Sequence, residues 1–224
     1  LELIKTENIN KIKSFCLIHS KEINHEKDSS INKRIIKSTN NADYIISNSN
    51  FTKDLAIKVG IDDKKINVIF PGIFKPSKIE NIFKTQAESI FKDSFPKIIT
   101  VSRLDKRKGH DKILMNIKNL KVKFPKIKYV SIGDGKEEDN LMKLVKQLNL
   151  EKDVIFLKNI DIKLKLALIS EANLFLMPSR IEKRSVEGFG ISFTEAASYG
   201  VGSIGGKDGG ESDAIMHDKT GLIC

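Results

Sequence analysis

The chain has 224 residues, of which 40% are hydrophobic, and its 39 basic and 29 acidic residues give a formal net charge of +10. That length suits one large or two small domains with a sizeable core. Cys16 and Cys224 are too few and too far apart for a disulfide framework or a cysteine metal cluster, and they favour a reducing compartment. With no signal-peptide pattern at the amino terminus and no apolar run near the roughly 20 residues of a membrane span, we expect a cytoplasmic protein.

The first 75 residues alternate between predicted strands and helices. Short apolar runs predict strands at residues 14–19, 43–47 and 67–70. Amphipathic spacing and capping residues predict helices at residues 30–40 and 50–59. Three strands are about half of a doubly wound sheet, so residues 1–75 are predicted to be the carboxyl-terminal part of a Rossmann-like domain.

Residues 76–96 are predicted to be a linker, because the stretch 71–96 holds three of the five prolines and no strong strand pattern. The alternation then resumes, with predicted strands at 97–101, 128–132, 153–157, 174–177 and 202–204. Predicted helices lie at 110–124, 136–148, 162–170 and 192–199. Strands that alternate with helices of this length favour a parallel sheet covered on both faces. The predicted fold class is therefore α/β with two Rossmann-like doubly wound domains, the first incomplete and the second, residues 97–224, cut within its last strand.

Two glutamates eight positions apart form the strongest candidate site. Glu187 and Glu195 flank a turn with Gly188 and Gly190 that leads into a predicted helix. Unpaired amides at a helix start bind anions, and carboxylates accept hydrogen bonds from sugar diols, so a nucleotide sugar would fit. From spacing alone, an ordinary loop–helix junction with two solvated glutamates fits equally well.

A basic turn is the second candidate. Arg103 and Lys108 follow a predicted buried strand, at the carboxyl end where open α/β sheets bind ligands. Both side chains suit phosphate, and we expect both on the ligand side of the loop, outside the core. Taken alone, this segment is explained at least as well by a solvated turn in a lysine-rich protein.

Three further features are weaker. Gly133 and Gly135 form a tight strand-to-helix turn, which is usually structural. Residues 205–211 read as a glycine-rich loop that is either flexible surface or a backbone cradle for a sugar or phosphate. His19 ends the first predicted strand, and the histidines show no metal-ligand spacing, so no metal site is expected.

In order and spacing these segments resemble glycosyltransferase family four, the retaining enzymes with the GT-B fold, and residues 177–188 are most like the bacterial lipid-mannosyltransferase branch. The resemblance implies that Arg103 and Lys108 hold the donor diphosphate and that Glu195 binds the ribose. It implies that Glu187 holds the transferred sugar and the distal phosphate together with the amides of Phe189, Gly190 and Ile191.

His19 matches a histidine near the reacting sugar, and Gly133 and Gly135 match the family's glycine turn. Residues 209–213 depart from the family's usual Gly-Gly followed by proline and glutamate, which leaves the donor open.

The resemblance implies a retaining transferase for glycolipid or cell-envelope synthesis. Its donor would be a GDP- or UDP-sugar, and its acceptor would be a hydroxyl of a sugar or of a lipid-linked molecule. No metal or other cofactor would be required. Another GT-B enzyme, such as a nucleotide-sugar epimerase or phosphorylase, is an alternative. A basic nucleic-acid binder is a further one, disfavoured by the few aromatic residues.

The charge of the amino-terminal part suggests peripheral contact with the inner face of a membrane. Eight basic residues fall within the first forty: Lys5, Lys11, Lys13, Lys21, Lys27, Lys33, Arg34 and Lys37. Each would contribute about 1 kcal/mol near an anionic leaflet. Ile4, Ile9 and Ile12 are expected either to pack inward or to add shallow insertion. A generally lysine-rich composition explains the same charge without any partner.

Overall fold

The computed structural model describes residues 12–224, which form two parallel β-sheets flanked by helices. The first sheet has three strands in the order β1 (Phe15–Ile18), β2 (Tyr44–Ser47) and β3 (Ile66–Val68). Helices α1 (Ser30–Asn40) and α2 (Asn50–Lys58) connect them. Four residues of the predicted membrane surface lie outside the described residues: Ile4, Lys5, Ile9 and Lys11.

The second sheet has six parallel strands in the order β6-β5-β4-β7-β8-β9. Their bounds are β4 (Lys97–Val101), β5 (Lys128–Ile132), β6 (Val154–Leu157), β7 (Leu174–Met177), β8 (Ser203–Gly205) and β9 (Gly221–Ile223). The first strand of this sheet along the chain, β4, lies in its middle. Strands β5 and β6 follow on one side of β4, and β7, β8 and β9 follow on the other. The carboxyl ends of β4 and β7 therefore flank the topological switch point, where such sheets bind ligands. The prediction of Rossmann-like parallel sheets is confirmed.

Helices cover both faces of this sheet. They are α4 (His110–Leu120), α5 (Glu138–Gln147), α6 (Ile162–Glu171), α7 (Ile191–Ser198) and the short α8 (Glu211–Ala214). The central strand β4 shows how the faces divide: Ile98 packs into one apolar cluster and Ile99 into the other, and both are buried. Burial on both faces explains why the strands appear in the sequence as continuous apolar runs.

The predicted linker contains a helix that the sequence analysis missed, α3 (Asn81–Phe91). Ala87 and Phe91 are fully buried and join the core of the second sheet, where α3 packs against α6. No side chain caps the start of α3, so the local signal for a helix was weak. Its apolar face becomes evident only against α6. Helix α8 was also missed, because it is short and begins at Glu211, the last residue of the predicted glycine-rich loop.

The packing of α3 predicts a large loss of stability for Phe91→Ala. Removing a fully buried phenylalanine typically lowers the free energy of unfolding by about 3–5 kcal/mol. Ile82 lies on the same helix with 62% of its surface exposed, so Ile82→Ala is a matched control that should cost about 0.5 kcal/mol or less. Urea denaturation measures both. Similar small losses in the two variants would show that α3 is not part of the core.

Candidate functional site

A cleft of about 360 Å³ lies between the two sheet-bearing units. Direct contacts hold the units together beside it. The Asp213 carboxylate accepts hydrogen bonds from the Asn50 side-chain amide at 2.8 Å and from the Phe51 backbone amide at 3.2 Å. The rings of Phe70 and Phe189 stack with their centroids 5.7 Å apart. The cleft is therefore bounded by residues from both units.

Most of the predicted site residues lie in this cleft. Those that line it are His19, Arg103, Lys108, Glu187, Phe189, Gly190 and Ile191. Glu195 lies in a neighbouring cavity, described below. Gly133 and Gly135 line neither cavity.

The basic turn sits at the switch point between β4 and β7. Residues Lys106–Lys108 form one 3-10 turn, and Gly109 ends it with a positive φ of 77°. A β-carbon at Gly109 would lie only 2.4 Å from the Pro178 carbonyl oxygen, so the turn packs tightly on the segment after β7. This packing turns Lys108 inward, against the Met177 sulfur at 3.4 Å.

The expectation that both cations lie outside the core is therefore wrong for Lys108, which is only 8% exposed. Arg103 behaves as expected. Its side chain is 64% exposed, borders the cleft and pairs with Asp105 at 3.0 Å. The two residues differ because Arg103 precedes the 3-10 turn, whereas Lys108 closes it against β7.

A buried ion cluster forms the base of the cleft. Glu187 Oε2 accepts a hydrogen bond from Arg107 Nη1 at 2.8 Å and pairs with Lys108 Nζ. Burial by itself opposes ionisation of Glu187, but the two cations outweigh it and hold the pKa of this carboxyl below its ordinary value. Burial also lowers the pKa of Lys108, and Glu187 acts against that change. The cluster is thus a carboxylate that two cations keep ionised.

Sequence analysis did not single out Arg107. It is 7% exposed, although it lies between two other basic residues in what looks like a solvated turn. Its backbone carbonyl accepts a hydrogen bond from the Arg180 amide at 2.9 Å, and the Arg180 guanidinium binds both oxygens of Asp111. Three consecutive basic residues carry no local signal that tells which side chains point inward.

The amino terminus of α7 opens onto the cleft. Gly190 precedes it with a φ of 90°, and no side chain caps this end. A β-carbon at Gly190 would lie 2.6 Å from the Phe193 ring, so only glycine fits there. Uncapped amides and the positive end of the helix dipole make this end suitable for an anion.

A second cavity, of about 340 Å³, adjoins the first, and Ile191 borders both. Its walls are mostly apolar and come from residues 72–77, α6 and α7. Glu195 lines it, with Oε1 paired to Lys165 Nζ at 2.8 Å. The two predicted glutamates are therefore not in one cavity: each lies in its own, and the start of α7 lies between them.

Gly133 and Gly135 support the Arg103 loop. A β-carbon at Gly133 would lie 2.0 Å from the Ser102 carbonyl oxygen, and one at Gly135 would lie 2.6 Å from that of Leu104. Both residues have a positive φ, which favours glycine. The turn between β5 and α5 therefore packs directly on the loop after β4.

A buried polar network also supports the loop after β4 that carries Arg103. His110 Nδ1 lies 2.9 Å from the Tyr129 hydroxyl, and Nε2 lies 3.1 Å from the Ser102 hydroxyl. Tyr129 in turn donates to Thr100 at 2.9 Å. Burial lowers the pKa of His110 to about 4, so the ring is neutral and accepts as well as donates. This network joins β4, β5 and the start of α4.

Glu211 is a second buried acid near the cluster. It begins α8, is completely buried, and neither carboxyl oxygen has a hydrogen-bond partner among the described residues. Burial, followed by the charge of Glu187, raises its pKa to about 7. The sequence analysis placed Glu211 in a glycine-rich loop and left open whether that loop is flexible surface or a backbone cradle.

Neither a metal centre nor a membrane span is found in residues 12–224. No group of three or more histidine, cysteine, aspartate or glutamate residues there could hold a metal ion. No helix in this range combines the length and the apolar character needed to cross a bilayer. Cys16 and Cys224 are free thiols.

The difference in burial predicts different stability losses for Lys108→Met and Arg103→Met. Removing Lys108 leaves Glu187 buried with Arg107 as its remaining ion-pair partner, so the free energy of unfolding should fall by about 2 kcal/mol or more. Arg103→Met removes an exposed pair and should cost about 0.5 kcal/mol or less. Urea denaturation at neutral pH compares them. Equal losses would contradict the buried cluster.

Comparison with known proteins identifies the family of the chain. The family model for glycosyl transferases group 1 matches residues 81–224. A GDP-mannose-dependent alpha-(1-6)-phosphatidylinositol monomannoside mannosyltransferase of Mycolicibacterium smegmatis is 29% identical over 130 residues, covering 57% of this chain and 34% of the relative. An N-acetylgalactosaminyltransferase of Campylobacter jejuni, named for a diphospho-undecaprenol substrate, is 36% identical over 118 residues, covering 52% of this chain and 30% of the relative.

Solved structures agree on the fold. The crystal structure of Anabaena HepE with UDP superposes with a TM-score of 0.79 at 23% identity, covering 96% of this chain and 59% of HepE. The chain spans about a third of the length of the two curated relatives described above. Because the family model covers well over half of the chain, the chain belongs to the glycosyl transferases group 1 family.

Proposed function

We propose that this chain binds a nucleoside-diphosphate sugar along its two adjoining cavities and that the protein transfers the sugar to an acceptor hydroxyl. One observation carries the proposal: an apolar cavity with a carboxylate, an uncapped helix start and a basic cleft follow one another in that order. The apolar cavity suits a nucleoside, and the helix start together with the basic cleft suits a diphosphate and the sugar attached to it. Each cavity also falls within the usual size range of ligand pockets.

The apolar cavity is the proposed nucleoside site. Its apolar walls suit a base, and the Glu195 carboxylate suits the two hydroxyls of a ribose. Lys165 holds Glu195 from α6, so the carboxylate has a fixed position before the donor arrives.

The diphosphate is proposed to lie at the start of α7, within reach of Arg103 and Lys108. Charge builds on the leaving phosphate as its bond to the sugar breaks, so cations and amides already in place lower the barrier. Removing one such contact typically costs a few kcal/mol. Arg103, being exposed, is free to close on the phosphates.

The sugar is proposed to lie between Glu187 and His19, with His19 contributed by the first unit. Glu187 is the one carboxylate among the described residues that line the cleft, and it is paired with two cations. Such a carboxylate is a weak nucleophile, which favours a mechanism without a covalent sugar–enzyme intermediate. In that mechanism the bond from the anomeric carbon to the phosphate oxygen breaks. The acceptor oxygen attacks the same face, and its proton passes to the leaving phosphate. The anomeric configuration is then retained.

The donor and the acceptor are tested together. Relatives are named for GDP-mannose, and the solved structure of HepE was also determined with UDP-glucose, so both are reasonable first donors. The named acceptors of two relatives are lipid-linked, which supports a lipid-linked or sugar acceptor here. Release of nucleoside diphosphate that requires an acceptor, with an axial or equatorial product anomer assigned by NMR, would establish transfer and its stereochemistry. Conversion of the donor without any acceptor would favour an epimerase and overturn the proposal.

Glu195→Ala is expected to weaken donor binding more than Glu187→Ala, which should mainly lower turnover. Losing hydrogen bonds to a charged group costs about 1.5–3 kcal/mol, or roughly 10- to 100-fold in Kd. Calorimetry with UDP-glucose and GDP-mannose measures the change. Glu171→Ala is the control, because Glu171 is also paired with a lysine, Lys97, but lies on α6 near the amino end of β4. Unchanged donor affinity in Glu195→Ala would reject the nucleoside site.

Transfer is also expected to survive an excess of EDTA within about twofold. Arg103, Lys108 and the α7 amides supply positive charge where a divalent cation would otherwise neutralise the diphosphate. The measurement is the rate of nucleoside diphosphate release with and without chelator. Complete loss, restored by magnesium or manganese, would contradict this expectation.

A further inference from the structure

Glu211 is a buried acid that the proposed chemistry does not use. Its side chain is completely buried, and neither oxygen has a hydrogen-bond partner among the described residues. The buried hydroxyl of Ser179, after β7, forms no hydrogen bond of ordinary geometry either, and its interaction with Glu211 lowers the pKa of that carboxyl by less than burial raises it. Burying a carboxylate ion without a partner is costly, so this environment favours the neutral carboxyl.

Glu211 lies directly behind the loop that carries Glu187. A β-carbon at Gly209 would be 2.6 Å from Glu211 Oε2 and 2.6 Å from the Glu187 carbonyl oxygen. Only glycine at position 209 therefore allows these two segments to approach so closely. The ionised groups that act on Glu211 are Glu187, from the loop before α7, and Lys108, from the 3-10 turn.

The protonation state of Glu211 decides the charge of the cluster. Arg107 and Lys108 carry one positive charge each, and Glu187 carries one negative charge, so the three together carry one net positive charge. A neutral Glu211 leaves that charge in place. An ionised Glu211 cancels it within a buried environment, where charges are weakly screened.

We propose that Glu211 is a positioning residue that sets the net charge of the donor site: its neutral form leaves one uncompensated positive charge for the diphosphate, and its ionised form removes it. This inference rests on the proposed function of the cleft. Burial and Glu187 raise the pKa of Glu211 to about 7, so the change falls near neutral pH. Donor affinity should therefore decrease as the pH rises through this range.

Calorimetry on the purified protein from pH 6 to pH 8.5 tests this with UDP-glucose and GDP-mannose as probes. The diphosphate of either probe gains or loses no proton in this range. We expect Kd to rise about tenfold with pH in the wild type and to stay nearly constant in Glu211→Gln and Glu211→Met. Glu151→Gln, which removes an exposed carboxylate before β6, should keep the wild-type profile. Arg103 and His19 also border the cleft and are present in every variant, so a difference between profiles belongs to Glu211.

Stability provides a second measurement that needs no donor. A raised pKa in the folded state means that folding retains a proton that the unfolded chain releases. The contribution of Glu211 to the free energy of unfolding is therefore fully present below its ordinary pKa of 4.5. That contribution is lost as the pH rises towards the folded-state pKa of about 7. The free energy of unfolding of the wild type, relative to Glu211→Gln, should fall over this window and level off above it.

Different results would contradict the role of Glu211 and the proposed function of the cleft. The same pH dependence of donor binding in the wild type and both Glu211 variants would overturn this inference alone. A stability difference from Glu211→Gln that does not change with pH would also overturn it. No binding of either probe to the wild type at any pH would overturn the proposed function, and this inference with it.

Discussion

The buried ion pairs of Glu187 with Arg107 and Lys108 are the interaction on which the cleft depends. Three charged side chains, each 9–14% exposed, meet where the turn after β4 faces the loop before α7. Removing one partner of such a buried pair typically costs 3–5 kcal/mol, because the remaining charge is left without compensation. The cluster therefore holds two loops from different parts of the chain in one arrangement.

The sheet order explains why these loops meet. The chain leaves the sheet on opposite sides after β4 and after β7, so the turns that follow the two strands open a crevice between them. Close backbone approaches then shape this crevice. Gly109 packs on Pro178, Gly133 packs on Ser102, and Gly190 allows the start of α7 to face the cleft. These glycines position the charged groups without contacting a ligand through side chains.

The position of the basic residues also bears on the alternatives raised by the net charge of +10. Arg107 and Lys108 are buried against a carboxylate and point into a concave site. A nucleic-acid binder would instead present an exposed basic stripe with interleaved aromatics, so this turn does not support that alternative. The burial and the pairing are consistent with the proposed anion-binding cleft of a chain from the glycosyl transferases group 1 family.

Local sequence determined the strands and most of the helices. Apolar runs marked the strands, and the glycine turn between Glu187 and Glu195 marked the entry to α7, because these signals depend on neighbours along the chain. The order and spacing of the motifs were also sufficient to indicate the family. Only the tertiary structure decided which charges are buried, because the direction of a side chain in a basic turn depends on what packs against it. That is why Arg107 was overlooked and Lys108 was expected outside the core. It is also why α3 was taken for a linker, since its apolar face is evident only where it packs against α6. Glu211 is the clearest case: in sequence it is one more polar residue after two glycines, and only the packing of Gly209 and Ser179 around it makes it a buried acid without a partner.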